Sequence, residues 1–112
     1  MVLSGCSPQP VWTHAMPDAD PLRGLQAMAR AGCGSCHAVP GLRWPQGAVG
    51  PSLHGFGKAN LIAGQLPNQP DVLAAFVRHA PDVLPGTTMP AMPLTEEESR
   101  DVAAYLYTLV DR

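Results

Sequence analysis

Cys33-Gly34-Ser35-Cys36-His37 is the stretch on which the reading of this sequence turns. Two thiols stand three residues apart, with an imidazole directly behind the second. A C-x-x-C pair by itself serves a dithiol redox couple, half of a zinc site, or a covalent anchor. A dithiol couple wants a thioredoxin-like alternation of strands and helices, which this chain lacks. A zinc site wants two more ligands at close spacing; His54 and His79 lie far along the chain, and there is no second C-x-x-C. A buried thiol pair would not need His37 behind it. The whole pentapeptide matches the attachment signature of haem c. Two thiols add across the two vinyl groups of one porphyrin, and their spacing lets both reach the same ring edge. The adjacent imidazole then meets the iron from that side. Gly34 and Ser35 are small enough to let the backbone pass close to the ring.

The composition leaves room for such a group. The chain has 112 residues, enough for one small domain. Hydrophobic residues make up 46% and charged residues 14%, which is not a disordered composition. Aromatics are only 5%, beside 13 prolines and 11 glycines, so large core side chains are few and turns are many. A chain this short buries a limited share of its surface and is commonly stapled by something. A buried macrocycle would supply the missing apolar core. The net charge of −2 comes without a basic stripe, which argues against nucleic-acid binding. No stretch is long enough to span a bilayer. The haem propionates would add acidity, so a strongly basic docking face is not expected.

Residues 1–20 read as a leader and linker rich in proline, and 21–112 as the folded domain. A helix is expected over 22–31, with Asp20 as N-cap, Pro21 at the first helical position and Gly32 closing it. Leu22, Leu25, Met28 and Ala29 share one face. Residues 38–70 read as one long loop punctuated by glycine and proline, without a convincing strand. Such a loop belongs in a compact domain only if it serves something, as in wrapping a flat cofactor. A second helix is expected over 71–80, stopped by Pro81, with Val72, Leu73, Phe76 and Val77 as its buried stripe. The loop 82–94 carries Met89 and Met92. A last helix is expected over 96–110, opened by a Thr95/Glu98 capping box, with Glu96 and Arg100 placed to pair and Val102, Tyr105, Leu106 and Leu109 on the apolar face.

Over most of residues 22–110 the chain resembles the class I monohaem cytochromes c. The attachment motif follows an N-terminal helix, as in that family, and Gly50-Pro51-Ser52-Leu53-His54-Gly55 is similar to the family's G-P-x-L-x-G segment. The resemblance implies an all-α cytochrome c fold, three main helices and long loops wrapped around one covalent haem. It implies that the Pro51 carbonyl accepts a hydrogen bond from the His37 ring, which orients the imidazole and makes it a better donor to iron. It also implies that Leu53 packs on the haem. Lys58 stands where the family often has an arginine near a propionate, at slightly different spacing; an ordinary solvated lysine is the other reading. Tyr105 matches the family's last-helix aromatic and would pack on the first helix near Gly24, Leu25 or Met28. Trp44 and Phe56 either wall the haem or fill core.

The family closes the iron with a methionine from the loop before the last helix. Thr88-Met89-Pro90-Ala91-Met92-Pro93 offers two. Met92-Pro93 runs directly into Leu94 and leaves almost no loop to reach around the ring, so Met89 is the expected sixth ligand and Met92 the alternative. A neutral thioether favours ferrous iron and raises the potential. His14, His54 and His79 read as surface or hydrogen-bonding residues. The expected function is a single-electron carrier with His/Met-ligated haem c in a respiratory chain, giving electrons to a terminal oxidase or taking them from a dehydrogenase. The alternative is a haem sensor or peroxidase-like protein with an open sixth position. Leu3-Ser4-Gly5-Cys6 resembles a bacterial lipobox, which makes Cys6 a candidate for lipidation, although only five residues precede it. The expected location is the periplasm, with residues 7–21 as a tether to the membrane.

Overall fold

The computed structural model describes residues 16–112. Among them the chain runs through α1 (Pro21–Ala31), a 3₁₀ turn at Cys33–Ser35, and a second 3₁₀ turn at Phe56–Lys58. Then come a hairpin of β1 (Leu61–Ile62) and β2 (Leu66–Pro67), α2 (Pro70–Val83) and α3 (Glu96–Tyr107). α3 packs against both other helices, and the long connections fold over the side of this frame.

α1 begins and ends as its sequence directs. The Asp20 carboxylate accepts from the N–H groups of Leu22 at 2.9 Å and Arg23 at 3.3 Å, which satisfies donors the helix cannot. Gly32 closes the helix with φ 84°, a left-handed conformation that favours glycine, and its N–H donates to the Met28 carbonyl. The chain then turns straight into Cys33. The buried stripe of α1 differs from the expected one: Gly24, Ala27 and Met28 are buried, Leu25 is half-buried, and Leu22 and Ala29 face outward. The reason is the approach of α3. A Cβ on Gly24 would lie 2.0 Å from the Asp101 carbonyl oxygen, so glycine alone permits this spacing. Asp101, 3% exposed, accepts from the Asp20 N–H at 2.8 Å and Arg23 Nε at 3.2 Å, so the buried carboxylate is paired.

Four other sequence expectations need correction. α2 does not stop at Pro81; it kinks at His79 (φ −147°, ψ 63°) and continues to Val83, with Pro81 in the first turn of the resumed segment. α3 stops at Tyr107 rather than 110, because the last residues are used elsewhere. The Leu109 carbonyl accepts from Gly57 N–H and the Arg112 carbonyl from Gly55 N–H, both at 2.8 Å. Arg100 pairs with Asp71 of α2 at 3.0 Å rather than with Glu96. The stretch expected to lack strands holds the β1–β2 hairpin, too short to show alternation in sequence. Its turn passes through Ala63 (φ 53°) and Gly64 (φ 72°) and buries Ile62 against the core. The Thr95/Glu98 capping box is present, with bonds of 3.0 and 2.8 Å.

Candidate functional site

Between the helices and the folded-over loops lies a cavity of about 280 Å³. Its walls are mostly apolar: Met28 of α1, Leu53 and Phe56 of the loop, Phe76 and Val77 of α2, Val102 and Leu106 of α3. Cys33, Cys36 and His37 line one side, and Thr88, Met89 and Pro90 also line it.

The cysteine wall follows from α1. After the Gly32 cap, the N–H groups of Cys36 and His37 both donate to the Cys33 carbonyl, at 3.2 and 3.0 Å, winding the motif into one tight turn. Residues 45–53 press onto that turn. Gly47 N–H donates to the Gly34 carbonyl at 2.8 Å, Gly50 N–H to Cys36 at 2.7 Å, and Leu53 N–H to Ala38 at 2.9 Å. Glycine is required here, since a Cβ on Gly47 would stand 2.4 Å from the Ser35 carbonyl and one on Gly50 2.5 Å from His37 Cε1. In the sequence these glycines read as loop punctuation; the close approach they permit appears only in three dimensions.

His37 Nδ1 lies 2.6 Å from the Pro51 carbonyl oxygen. A carbonyl only accepts, so Nδ1 carries the hydrogen and Nε2 keeps its lone pair for a metal. Cys33 and Cys36 are free thiols. Burial pushes the Cys33 thiol up from its ordinary range, the reverse of what an activated dithiol requires. Among the described residues no three His, Cys, Asp or Glu side chains gather where they could hold a metal ion, so a zinc site finds no ligand set there.

The other predicted residues are distributed as follows. Pro51 and Leu53 line the cavity. Met92 packs partly buried against the core and is not part of the lining. Phe56 walls the cavity, whereas Trp44 is 85% exposed and does neither of the things expected of it. Lys58 is exposed at the end of its 3₁₀ turn, outside the lining. Tyr105 is buried, and its hydroxyl donates to the Pro40 carbonyl at 2.5 Å, tying the loop behind the motif to α3. His54 sits exposed, 2.6 Å from Ser52 Oγ, and His79 lies 3.4 Å from Asp82. Cys6 and His14 fall outside the described residues.

Residues 19–106 match the family described as cytochrome c oxidase, cbb3-type, subunit III. The chain belongs to this cytochrome c family. Cytochrome c oxidase subunit 2 of Alkalihalophilus pseudofirmus is 36% identical over 88 residues, 78% of this chain and 25% of that protein. The cytochrome thus spans about a quarter of that relative's length. Cytochrome c2 from Rhodobacter sphaeroides superposes with a TM-score of 0.64 at 18% identity, over 84% of this chain and 98% of that one. A chain of SoxXA from P. pantotrophus gives 0.62 at 24%, over 83% of each. Cytochrome cH from Methylobacterium extorquens gives 0.56 at 24%, over 80% and 99%. At these identities the structural likeness establishes the fold, the all-α cytochrome c fold. The protein is a c-type cytochrome, its cofactor is covalent haem c, and its general role is electron transfer. The apolar cavity, with two free thiols, an imidazole and a thioether on its walls, has the donor chemistry that this group requires.

Proposed function

We propose that this cytochrome is a single-electron carrier whose haem is anchored by Cys33 and Cys36 and ligated by His37 and Met89. Haem c supplies an iron that gains or loses one electron. The observation that carries the reading is the placement of His37 and Met89 on the walls of one cavity, with the His37 hydrogen directed at Pro51. Pro51 holds the imidazole in the tautomer that leaves Nε2 for the iron. The aliphatic and aromatic walls would keep water from a bound iron and disfavour the extra positive charge of its ferric state. Met89, soft and neutral, works in the same direction. Held by both His37 and Met89, the haem would have no place left for a substrate and would serve only to exchange electrons with partner proteins.

The respiratory partners are a terminal oxidase as acceptor or a dehydrogenase as donor. Support for the oxidase comes from the matched family and from the oxidase subunit that shares this domain. We place the domain in the periplasm, lipidated at Cys6, with residues 7–21 as the leash. No described helix is long and apolar enough to cross a membrane.

Absorption spectra of oxidised and reduced holoprotein test the ligation. The weak methionine-to-ferric-iron charge-transfer band is expected, and the ferrous protein should not bind carbon monoxide at neutral pH. Ready carbon monoxide binding would favour an open sixth position and a sensor or peroxidase-like role instead.

A further inference from the structure

We propose that the kink of α2 at His79-Ala80-Pro81 is the latch that holds the Met89 loop against the cavity, with Pro81 and the Arg78 carbonyl as positioning residues for the methionine. The proposal rests on Met89 as the axial ligand.

In an unbroken helix the Arg78 carbonyl would accept from the N–H of residue 82, and the Val77 carbonyl from that of residue 81. Pro81 has no N–H, and its ring collides with the carbonyl four residues back. His79 leaves helical geometry accordingly, and the Arg78 carbonyl is released from the helix ladder. Met92 N–H takes it, at 2.9 Å. Beside it, His79 and Ala91 pair as an antiparallel bridge. The methionine loop is thereby paired with the kink at a single short bridge, with the Met92–Arg78 bond as its hydrogen bond.

The start of the loop is held by the same turn. Leu84 N–H donates to the Ala80 carbonyl at 2.8 Å, and Ala80 is wholly buried. Among the described residues the one hydrogen bond of Met89 is a long one, from its N–H to Thr87 Oγ1 at 3.4 Å, and its side chain packs partly buried against the core. Its position therefore depends on that packing and on the anchored ends of the loop. Phe76 and Val77, immediately before the kink, line the cavity, so one helix supplies both a wall and the fastening of the methionine loop.

The test is imidazole competition against methionine in the ferric holoprotein, followed by loss of the charge-transfer band. Apparent affinity for an external ligand scales with the fraction of molecules whose loop is open. Pro81→Ala should straighten α2, return the Arg78 carbonyl to the helix and tighten apparent imidazole binding about tenfold, the worth of one net hydrogen bond. Pro85→Ala, an exposed proline in the same loop, should leave it unchanged. A band present in both proteins with equal imidazole affinity overturns the latch alone. A wild-type protein without the band overturns the Met89 reading instead. Should Pro81→Ala not fold, hydrogen exchange at the Met92 amide of the wild-type holoprotein decides. Strong protection supports the latch, and exchange at the rate of an exposed amide overturns it.

Discussion

The two sides of the cavity are built differently. The cysteine wall is knitted by short backbone bonds between residues 33–38 and 47–53, by glycines pressed against carbonyls, and by the Tyr105 hydroxyl behind it. The methionine wall is a proline-rich loop fastened chiefly at one place, the broken turn of α2. The first arrangement suits a permanent covalent attachment. On the proposed ligation, the second suits a ligand bond that forms after the cofactor is in place.

The sharpest way to break this comparison is to remove the attachment. Replacing Cys33 and Cys36 together by Ser should abolish covalent haem, seen as loss of haem staining after denaturing electrophoresis. Met89→Ala acts on the other wall. The haem should stay attached while the ferrous iron gains carbon monoxide binding and the potential falls; Met92→Ala should do neither. If Met92→Ala opens the iron and Met89→Ala does not, the assignment of the methionine wall is reversed.

Paired glycines then sharpen the contrast. Gly50→Ala forces a methyl within 2.5 Å of His37 Cε1 and should lower unfolding stability by about 1–3 kcal/mol, with altered haem spectra. Gly86→Ala, in the methionine loop, meets nothing within 4 Å and should cost only the strain of its φ of 93°. That is about 1 kcal/mol, with spectra unchanged. Tyr105→Phe leaves the Pro40 carbonyl without its partner and should cost about 1–2 kcal/mol in denaturant titration, loosening the cysteine wall only.

The smallest effect concerns the start of α3, just after the methionine loop. The Thr95 backbone N–H, helped by the nearby Arg30 guanidinium, holds the Glu98 carboxyl below its usual range. A depressed native value means that the ionised group stabilises fully above the unfolded glutamate value of about 4.3. That contribution is lost as pH falls through the lower native value. Glu98→Gln should therefore melt slightly below wild type at neutral pH, with the difference vanishing in acid; a difference constant across pH would contradict the charge-based account.

Much of this was legible because it is local. Helix caps at Asp20, Gly32 and Thr95 depend on groups within a few residues, and all three stand where the sequence places them. The attachment motif was legible for the same reason. What sequence reasoning missed depends on approach between distant segments. The buried stripe of α1 shifted because Gly24 meets Asp101, and Arg100 found Asp71 across a helix interface. α3 ended early because the loop at Gly55 and Gly57 claimed the carbonyls beyond it. Pro81 was visible as a helix breaker, but that the freed carbonyl would receive Met92 was not, since the donor lies 14 residues away.

By itself, then, the sequence determined the chemistry available. It supplied two thiols and an imidazole in one turn, a thioether in a proline-rich loop, and too few large side chains to fill a core unaided. Bond-forming reach and helix capping act over a handful of residues, so spacing is enough to read them. The tertiary structure decided which face of α1 is buried, which carboxylate meets Arg100, and which amide reaches the Arg78 carbonyl at the α2 kink. Those outcomes depend on where separate segments meet, and that is set by packing of the whole chain rather than by any stretch of it.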